Sequence, residues 1–381
     1  MTRPFGYFVH HQGRGHAERC AAIVHALPTD RPLTLFCARD DIFPALPSHV
    51  EIRRIPSLFE PSGAEQGSMD WVPTPRTLHC APLGWPGIRA AMATISGWFD
   101  AADPALMICD VSAEIAQLAR ICSVPHVKVL QHGNRTDPGH QAAYDGAAGL
   151  LAPFHADLAQ PDWDASMRRR TCFAGGLGVD TRVREREVAR QRIGVASDEE
   201  MILVLSGGGG GGFVQAPLGV GARARPSARW ITIGTVQREW HATEPANIEH
   251  RGWVDNAADH IAAADLVIAS TGNTTCQQIL AAARPWLAIP EWRYFDEQHR
   301  KADCLEAAGV ATVRPHLPSS AHDWTAAIAE TLAGHAPARQ RAMIEDMPAD
   351  KVALWLEALA DRLWTPACNP PPASSMEART L

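Results

Sequence analysis

The chain has no apolar run approaching the ~18–20 residues needed to cross a bilayer, although 46% of its 381 residues are hydrophobic. Its first residues, MTRPFGYFVHHQ, show neither a long apolar segment nor a small-residue cleavage site, so a cytosolic protein is expected. The nine cysteines include no C-x-x-C pair and are odd in number, which excludes a zinc or disulfide framework and reads as reduced core thiols. An excess of positive charge is also missing. A net charge of −7 argues against a general phosphate-backbone binder, and no nucleic-acid partner is expected.

What is present is length enough for two or three domains and a regular alternation of short apolar runs with helical periods. Strands are read at 5–9, 33–37, 50–55, 106–109, 126–130 and 149–151, with helices at 16–27, 85–100 and 112–122. That order predicts a parallel, doubly wound sheet. A polar stretch at 56–83 has no clear period, and loops of that length are functional or disordered. Residues 153–185 read as irregular, and a domain boundary is placed near 180. A second alternation follows, with strands at 201–205, 230–233, 266–269, 286–289 and 310–313, and helices at 215–225, 256–263, 274–283 and 296–308. Helical patterns at 323–334 and 350–364 close the chain. The expected fold class is α/β: Rossmann-like domains over 1–180 and 181–348, a last helix within 349–364, and a proline-containing disordered tail over 365–381. Two such domains facing each other would bury a ligand in the cleft between them.

Residues 252–313 carry most of the chemistry. The run DLVIA at 265–269 is a buried parallel strand, and Ser270, Thr271, Gly272, Asn273 and Thr274 lead from it into a helix starting near Thr274. The free N–H groups of that first turn, with the helix dipole, form a site for a phosphate or diphosphate. The next strand stops at Pro290, and EWRYFDEQ at 291–298 places carboxylate, amide and aromatic groups at the same carboxyl edge. Ligands bind at that edge in open α/β sheets. An anion cradle beside those groups suits a sugar joined to a nucleotide diphosphate.

The first half offers a partner chemistry. QGRGHAER at 12–19 follows the first strand; Gly13 and Gly15 permit close backbone approach, and His16 opens a helix whose dipole disfavours the imidazolium. His16 is therefore a candidate proton acceptor, with a capping or core histidine as the alternative. Asp110 ends the strand at 106–109, where it can hold a histidine tautomer or, with Ser112 and Glu114, cap the following helix. QHGNRTDP at 131–138 points His132 and Arg135 into the cleft toward acceptor or phosphate, or forms a surface loop. DWD at 162–164 imitates a D-x-D metal motif but lies in an irregular, proline-flanked stretch, and no metal is expected. The stripe Ile88, Met92, Ile95, Trp98 and Phe99 has helical spacing and reads as core before membrane surface.

The donor-like segment resembles the nucleotide-sugar half of GT-B glycosyltransferases, above all the bacterial N-acetylglucosaminyltransferase that completes lipid II and the UDP-glycosyltransferases of natural-product pathways. Their G-x-x-[ST]-x-x-E turn corresponds to GNTTCQQ at 272–278, their G-x-P to ARP at 283–285, and their acidic-Gln pair to Glu297 and Gln298. Two letters depart. Gln278 replaces the glutamate that accepts from both ribose hydroxyls, and an amide has one acceptor oxygen and a donor NH₂. Ala283 replaces a glycine.

The resemblance implies a GT-B fold, with the last helix crossing back to the first domain, and a metal-independent, inverting glycosyl transfer. The nucleotide-sugar, UDP-linked, is a substrate, and no cofactor is implied. The acceptor would be a small molecule or lipid-linked, with peripheral contact at the inner membrane face in the lipid-linked case. His16 would be the base and Asp110 would orient it. The glycine run at 207–212, through Gly207 and Gly208, would border the diphosphate, or be a plain connector. Val254 in GWVD would read the base through its backbone, while Trp253 has a core reading too. Glu297 and Gln298 would bind sugar hydroxyls, or simply charge a helix start. Two alternatives stand beside this. GRGHAERC at 13–20 also resembles the G-x-G-H-x-x-R-C opening of the UDP-sugar hydrolase of pseudaminic acid synthesis, and Gln278 is compatible with a non-catalytic sugar-nucleotide binder.

Overall fold

The computed structural model describes residues 2–65, 67–69, 71–208, 210–238 and 243–365. The tail expected to be disordered lies outside the described residues from 366 onward. The first sheet contains β1 (Phe5–Phe8), β2 (Leu33–Cys37), β3 (Val50–Arg54), β4 (Leu106–Cys109), β5 (His126–Val129), β6 (Gly149–Ala152) and β7 (Thr171–Phe173). Their order is β3-β2-β1-β4-β5-β6-β7, and every pairing is parallel. Runs such as LTLFC and LMIC are buried at every position, as strands covered on both faces require. The helices of this half are α1 (Arg14–Ala26), α2 (Pro86–Ala102), α3 (Ala113–Ile121), α4 (Pro138–Asp145) and α5 (Ala165–Arg169).

The second half holds α6 (Arg186–Ile193), β8 (Met201–Leu205), β9 (Phe213–Val214), α7 (Gln215–Ala224), β10 (Arg229–Ile233), β11 (Val236–Gln237), β12 (Ile248–His250) and α8 (Ala257–Ala263). It continues through β13 (Leu266–Ala269), α9 (Asn273–Ala282), β14 (Trp286–Ala288), α10 (Glu297–Ala307), β15 (Thr312–Val313), α11 (Ala321–Ala333) and α12 (Pro337–Ala342). Its sheet runs β12-β10-β8-β13-β14-β15, again parallel, with β9 and β11 forming a separate short pair.

Several segments differ from expectation. Residues 153–185 are not uniformly irregular: α5 and β7 lie there, and β7 pairs with β6 as the edge of the first sheet. α4, α6, α12, β9, β11 and β12 were not foreseen either. The stripe on α2 packs into the core, with Ile95, Trp98 and Phe99 buried and Ile88 and Met92 against the same cluster. No helix among the described residues is long and apolar enough to cross a membrane.

The last helix, α13 (Pro348–Trp364), returns to the first domain. Val352, Leu356 and Leu359 join the cluster of Phe5, Tyr7 and Leu35 from the first sheet. Polar contacts fix the register: Arg31 pairs with Glu357, the Trp364 indole donates to the Ala105 carbonyl at 3.0 Å, and the Arg3 guanidinium lies over the Trp364 ring. Leu356 is wholly buried. Leu356→Ala should therefore cost about 3 kcal/mol, read as a lower urea midpoint at unchanged m-value.

Candidate functional site

The carboxyl ends of β1, β4 and β13 bring the start of α1, Asp110 and the start of α9 to one place. There a cavity of about 190 Å³ lies between the domains, and Gly13, Gly15, His16, Asn273, Thr274 and Glu297 are among its lining residues. α1 and α9 both begin at a glycine N-cap, Gly13 and Gly272, with no side-chain cap. Two positive helix ends with uncapped N–H groups therefore open onto one space. Gly15 makes this approach close: a Cβ there would stand 3.0 Å from Thr274 Oγ1 across the domain gap, so the threonine would have to shift.

The His16 Nδ1 lies 2.7 Å from Asp110 Oδ2. Nδ1 also lies 2.9 Å from Arg19 Nη2; with the Nη2 hydrogens directed at the two Asp110 oxygens, the carboxylate contact puts the proton on Nδ1 and leaves Nε2 as the ring's acceptor. Asp110 is fully buried, and Arg19 Nη2 donates to both of its oxygens at 2.8 and 2.7 Å. Burial alone would raise the Asp110 pKa, but the Arg19 charge and then the His16 contact hold the carboxyl far below the usual carboxylate range. Helix capping is not its role: Ser112 Oγ caps α3 by accepting from the Ile115 N–H at 3.2 Å. Glu114 instead accepts from the His79 and Cys80 N–H groups, pinning part of the 56–83 loop.

The turn that presents Asp110 is strained. Val111 has φ 65°, unfavourable for a β-branched residue, and the Ser112 N–H donates to the Asp110 carbonyl at 2.8 Å. Lys128 Nζ donates to the Val111 carbonyl at 2.7 Å and holds the turn in place. Burial lowers the Lys128 pKa to about 8. Above His16, the His10 ring lies at 5.2 Å, with Phe59 on its other side at 4.6 Å. Burial, then the neighbouring His16, brings His10 to about 4, so at neutral pH it is uncharged. A groove of about 570 Å³ lies at the carboxyl ends of β2 and β3, lined by His11, Arg39, Arg54, Ser57 and Glu60.

On the donor-like side, Ser270 and Thr271 are buried under the start of α9. Gln298 Oε1 accepts from the Thr271 N–H at 3.2 Å and the Glu291 N–H at 2.8 Å, tying together the loops after β13 and β14. Its Nε2 donates to no described residue. Glu297 meets Arg135 of the first domain at 3.4 Å. Gln278 on α9 is half-buried, while Gln277 Oε1 accepts from the Gly176 N–H at 2.8 Å across the domain junction. Gly207 and Gly208 lie beside, not inside, the cavity, and Gly208 stands against Trp253. Trp253 is 68% exposed and so is not core. Val254 is half-buried next to it. At the end of the glycine run, Gly212 has φ +81° and a Cβ there would meet the Thr235 carbonyl at 2.2 Å.

The 131–138 loop is no surface loop. His132 is fully buried, its Nε2 donates to the Leu158 carbonyl at 2.7 Å, and its Nδ1 has no partner. Arg135 stacks on Phe295 and lies 3.3 Å from His140 Nε2. His79, Asp137 and His140 form a cluster of metal-ligating groups, but the Arg135 cation already occupies its edge. The DWD aspartates serve the backbone and a surface pair: Asp164 caps α5, and Asp162 lies 3.4 Å from Arg300.

Sequence reasoning missed Arg19, Lys128 and Lys301. Arg19 and Lys301 had a signal, standing three and four residues from His16 and Glu297 on the same helix faces.

No family model and no curated protein matches the sequence. Solved structures do. The calicheamicin glycosyltransferase CalG4 is 16% identical, with 96% of this chain and 100% of that chain covered at a TM-score of 0.63. The spinosyn rhamnosyltransferase complexed with thymidine diphosphate is 15% identical over 92% and 99%, at 0.62. The Acinetobacter baumannii MurG is 13% identical over 94% and 100%, at 0.61. The fold is GT-B. The likeness extends over both α/β halves, and α13 returns from the second to the first.

Proposed function

We propose that this GT-B protein transfers a sugar from a nucleotide-diphosphate donor, UDP-linked by resemblance, to an acceptor hydroxyl. The observation that carries this is the sharing of one interdomain cavity by the Asp110-bound His16 and the uncapped start of α9. His16 Nε2 takes the proton of the acceptor hydroxyl, whose oxygen forms a new bond to the anomeric carbon. The bond from that carbon to the β-phosphate oxygen breaks, and its electron pair leaves with the nucleoside diphosphate. Attack opposite the leaving group inverts the anomeric centre. N–H groups at 272–274 stabilise the departing charge, as an oxyanion site does, and no metal takes part in this scheme. Glu297 and the free Nε2 of Gln298 address the sugar, and the groove at the carboxyl ends of β2 and β3 takes the acceptor. The exposed Trp253 and the Val254 backbone face the nucleobase. The complex of a neighbour with thymidine diphosphate supports a diphosphate ligand, and Gln278 makes a deoxyribose donor as suitable as a ribose one.

The test is donor turnover. Purified protein incubated with a panel of UDP- and dTDP-sugars should release nucleoside diphosphate faster when hydroxyl acceptors are added. Equal release without acceptor would assign the chain to hydrolysis, as its GRGHAERC resemblance allows. Binding without release under every acceptor would leave a sugar-nucleotide binder.

A further inference from the structure

Lys301 lies on the inner face of α10 and is buried, with 4% of its surface exposed. Its Nζ donates to Asn273 Oδ1 at 3.3 Å, and among the described residues no carboxylate lies within ion-pair distance. That is an unusual place for an ammonium group, because burying a charge without a counter-charge is strongly unfavourable. The natural neutraliser would be Glu297, one helical turn earlier on the same face. Glu297 is instead drawn to Arg135 of the first domain. The neighbouring His132 gives no negative charge either: burial, followed by the Lys301 and Arg135 charges, holds it neutral, and its Nδ1 remains unpartnered. Lys301, His132, Asn273 and Thr274 all line the interdomain cavity. The protein thus keeps an uncompensated cation, an unpartnered buried acceptor and two uncapped helix starts around one space.

We infer that Lys301 binds the diphosphate of the donor directly and carries the charge that develops on the leaving β-phosphate oxygen. This rests on the nucleotide-sugar reading above and adds a residue that does electrostatic work in it. Asn273 is then the placeholder that orients Nζ while the anion is absent, and it also sits at the first position of α9, so the ammonium and the helix end act on the same phosphate oxygens. As the bond to the anomeric carbon breaks, negative charge grows on those oxygens, and a fixed cation in a water-poor cavity stabilises that change more than the ground state.

The experiment is calorimetric binding to the full chain, wild type and Lys301→Met, of UDP, dTDP, uridine, thymidine and pyrophosphate, with steady-state kinetics on any donor that turns over. Met keeps length and removes charge. K301M should weaken the diphosphates and pyrophosphate about 10–100-fold, the range of a charge-assisted hydrogen bond, while nucleoside affinity stays within twofold and kcat falls. Lys301→Arg should recover most of the diphosphate affinity. K301M should unfold at a temperature no lower than wild type; were it not to fold, Lys301→Gln supports the same comparison. Unchanged diphosphate affinity, or equal loss for nucleosides and diphosphates, overturns the inference. Wild-type binding of pyrophosphate, lost in K301M but without binding of either nucleoside diphosphate, would keep the anion site and remove the nucleotide-sugar reading. Failure of the wild type to bind any of these anions overturns both.

Discussion

His16→Ala should lower turnover by about 10²–10⁴-fold, the usual worth of a positioned general base, while nucleoside diphosphate affinity changes less than threefold. The two readouts separate because His16 and the diphosphate cradle belong to different domains. His16 lines the cavity, and its Nδ1 is used by Asp110 at 2.7 Å, which leaves Nε2 as the ring's acceptor. Truncation removes the acceptor for the hydroxyl proton and leaves the α9 N–H groups in place. Stability should fall by about 1–2 kcal/mol, since a hydrogen bond to buried Asp110 is lost while Arg19 still donates to both carboxylate oxygens. His16→Gln sharpens the test: it keeps hydrogen-bonding capacity but cannot carry a proton away, so binding should persist and turnover should stay low. Wild-type turnover in either variant would remove His16 from the mechanism.

Much of this architecture was legible because parallel strands buried on both faces are uninterrupted apolar runs, and MILVL, LVIA and WLA needed no partner to be recognised. Longer helices with an apolar stripe were read closely; the expected 215–225 is Gln215–Ala224. Short or charged elements were lost, even where proline or glycine bounds them, as in α4 and α6. β12 is only IEH, and α6 reads REVARQRI, whose arginines look like solvent-facing charge until Arg190 is found buried, donating to Asp265 and several carbonyls. The site shows the same division. His16 and Asp110 stand at strand ends and could be picked out singly, but their meeting depends on β1 and β4 being adjacent, with Phe8 opposite Cys109. The positive φ of Val111 leaves no trace in its letter. Lys301 was passed over because a lysine on a charged helix ordinarily points to water, and only the packing of α10 against the first domain turns it inward. Gln298, expected as a sugar ligand, is a brace between two loops, a role set by backbone N–H groups that no side-chain pattern encodes.

Asp110→Asn should both unfold the protein more easily and reduce turnover, and a second substitution separates the two effects. The carboxylate is the one acidic partner of buried Arg19 among the described residues, and Arg19 Nε has no partner of its own. Removing the charge leaves a buried guanidinium uncompensated, at a cost of about 3–5 kcal/mol, measurable as a fall in the urea midpoint. The pH dependence has a definite sign. Because the folded carboxyl titrates below its unfolded value, its contribution is present above the ordinary carboxylate range and is lost only as pH falls through the depressed folded value. Wild type should therefore keep this contribution through mildly acidic pH, and the stability gap to Asp110→Asn should stay constant from pH 8 to about pH 5. Turnover falls for a different reason, since an amide can donate to Nδ1 as well as accept from it and no longer enforces the tautomer with a free Nε2. Adding Arg19→Leu to Asp110→Asn removes the orphaned charge. Stability should recover by most of the loss, as when a buried ion pair is replaced whole, while turnover should remain low. If the two substitutions lowered stability additively, the Arg19–Asp110 pair would not be the coupled unit its geometry describes; if turnover returned with stability, Asp110 would be a support for the fold and not for the base.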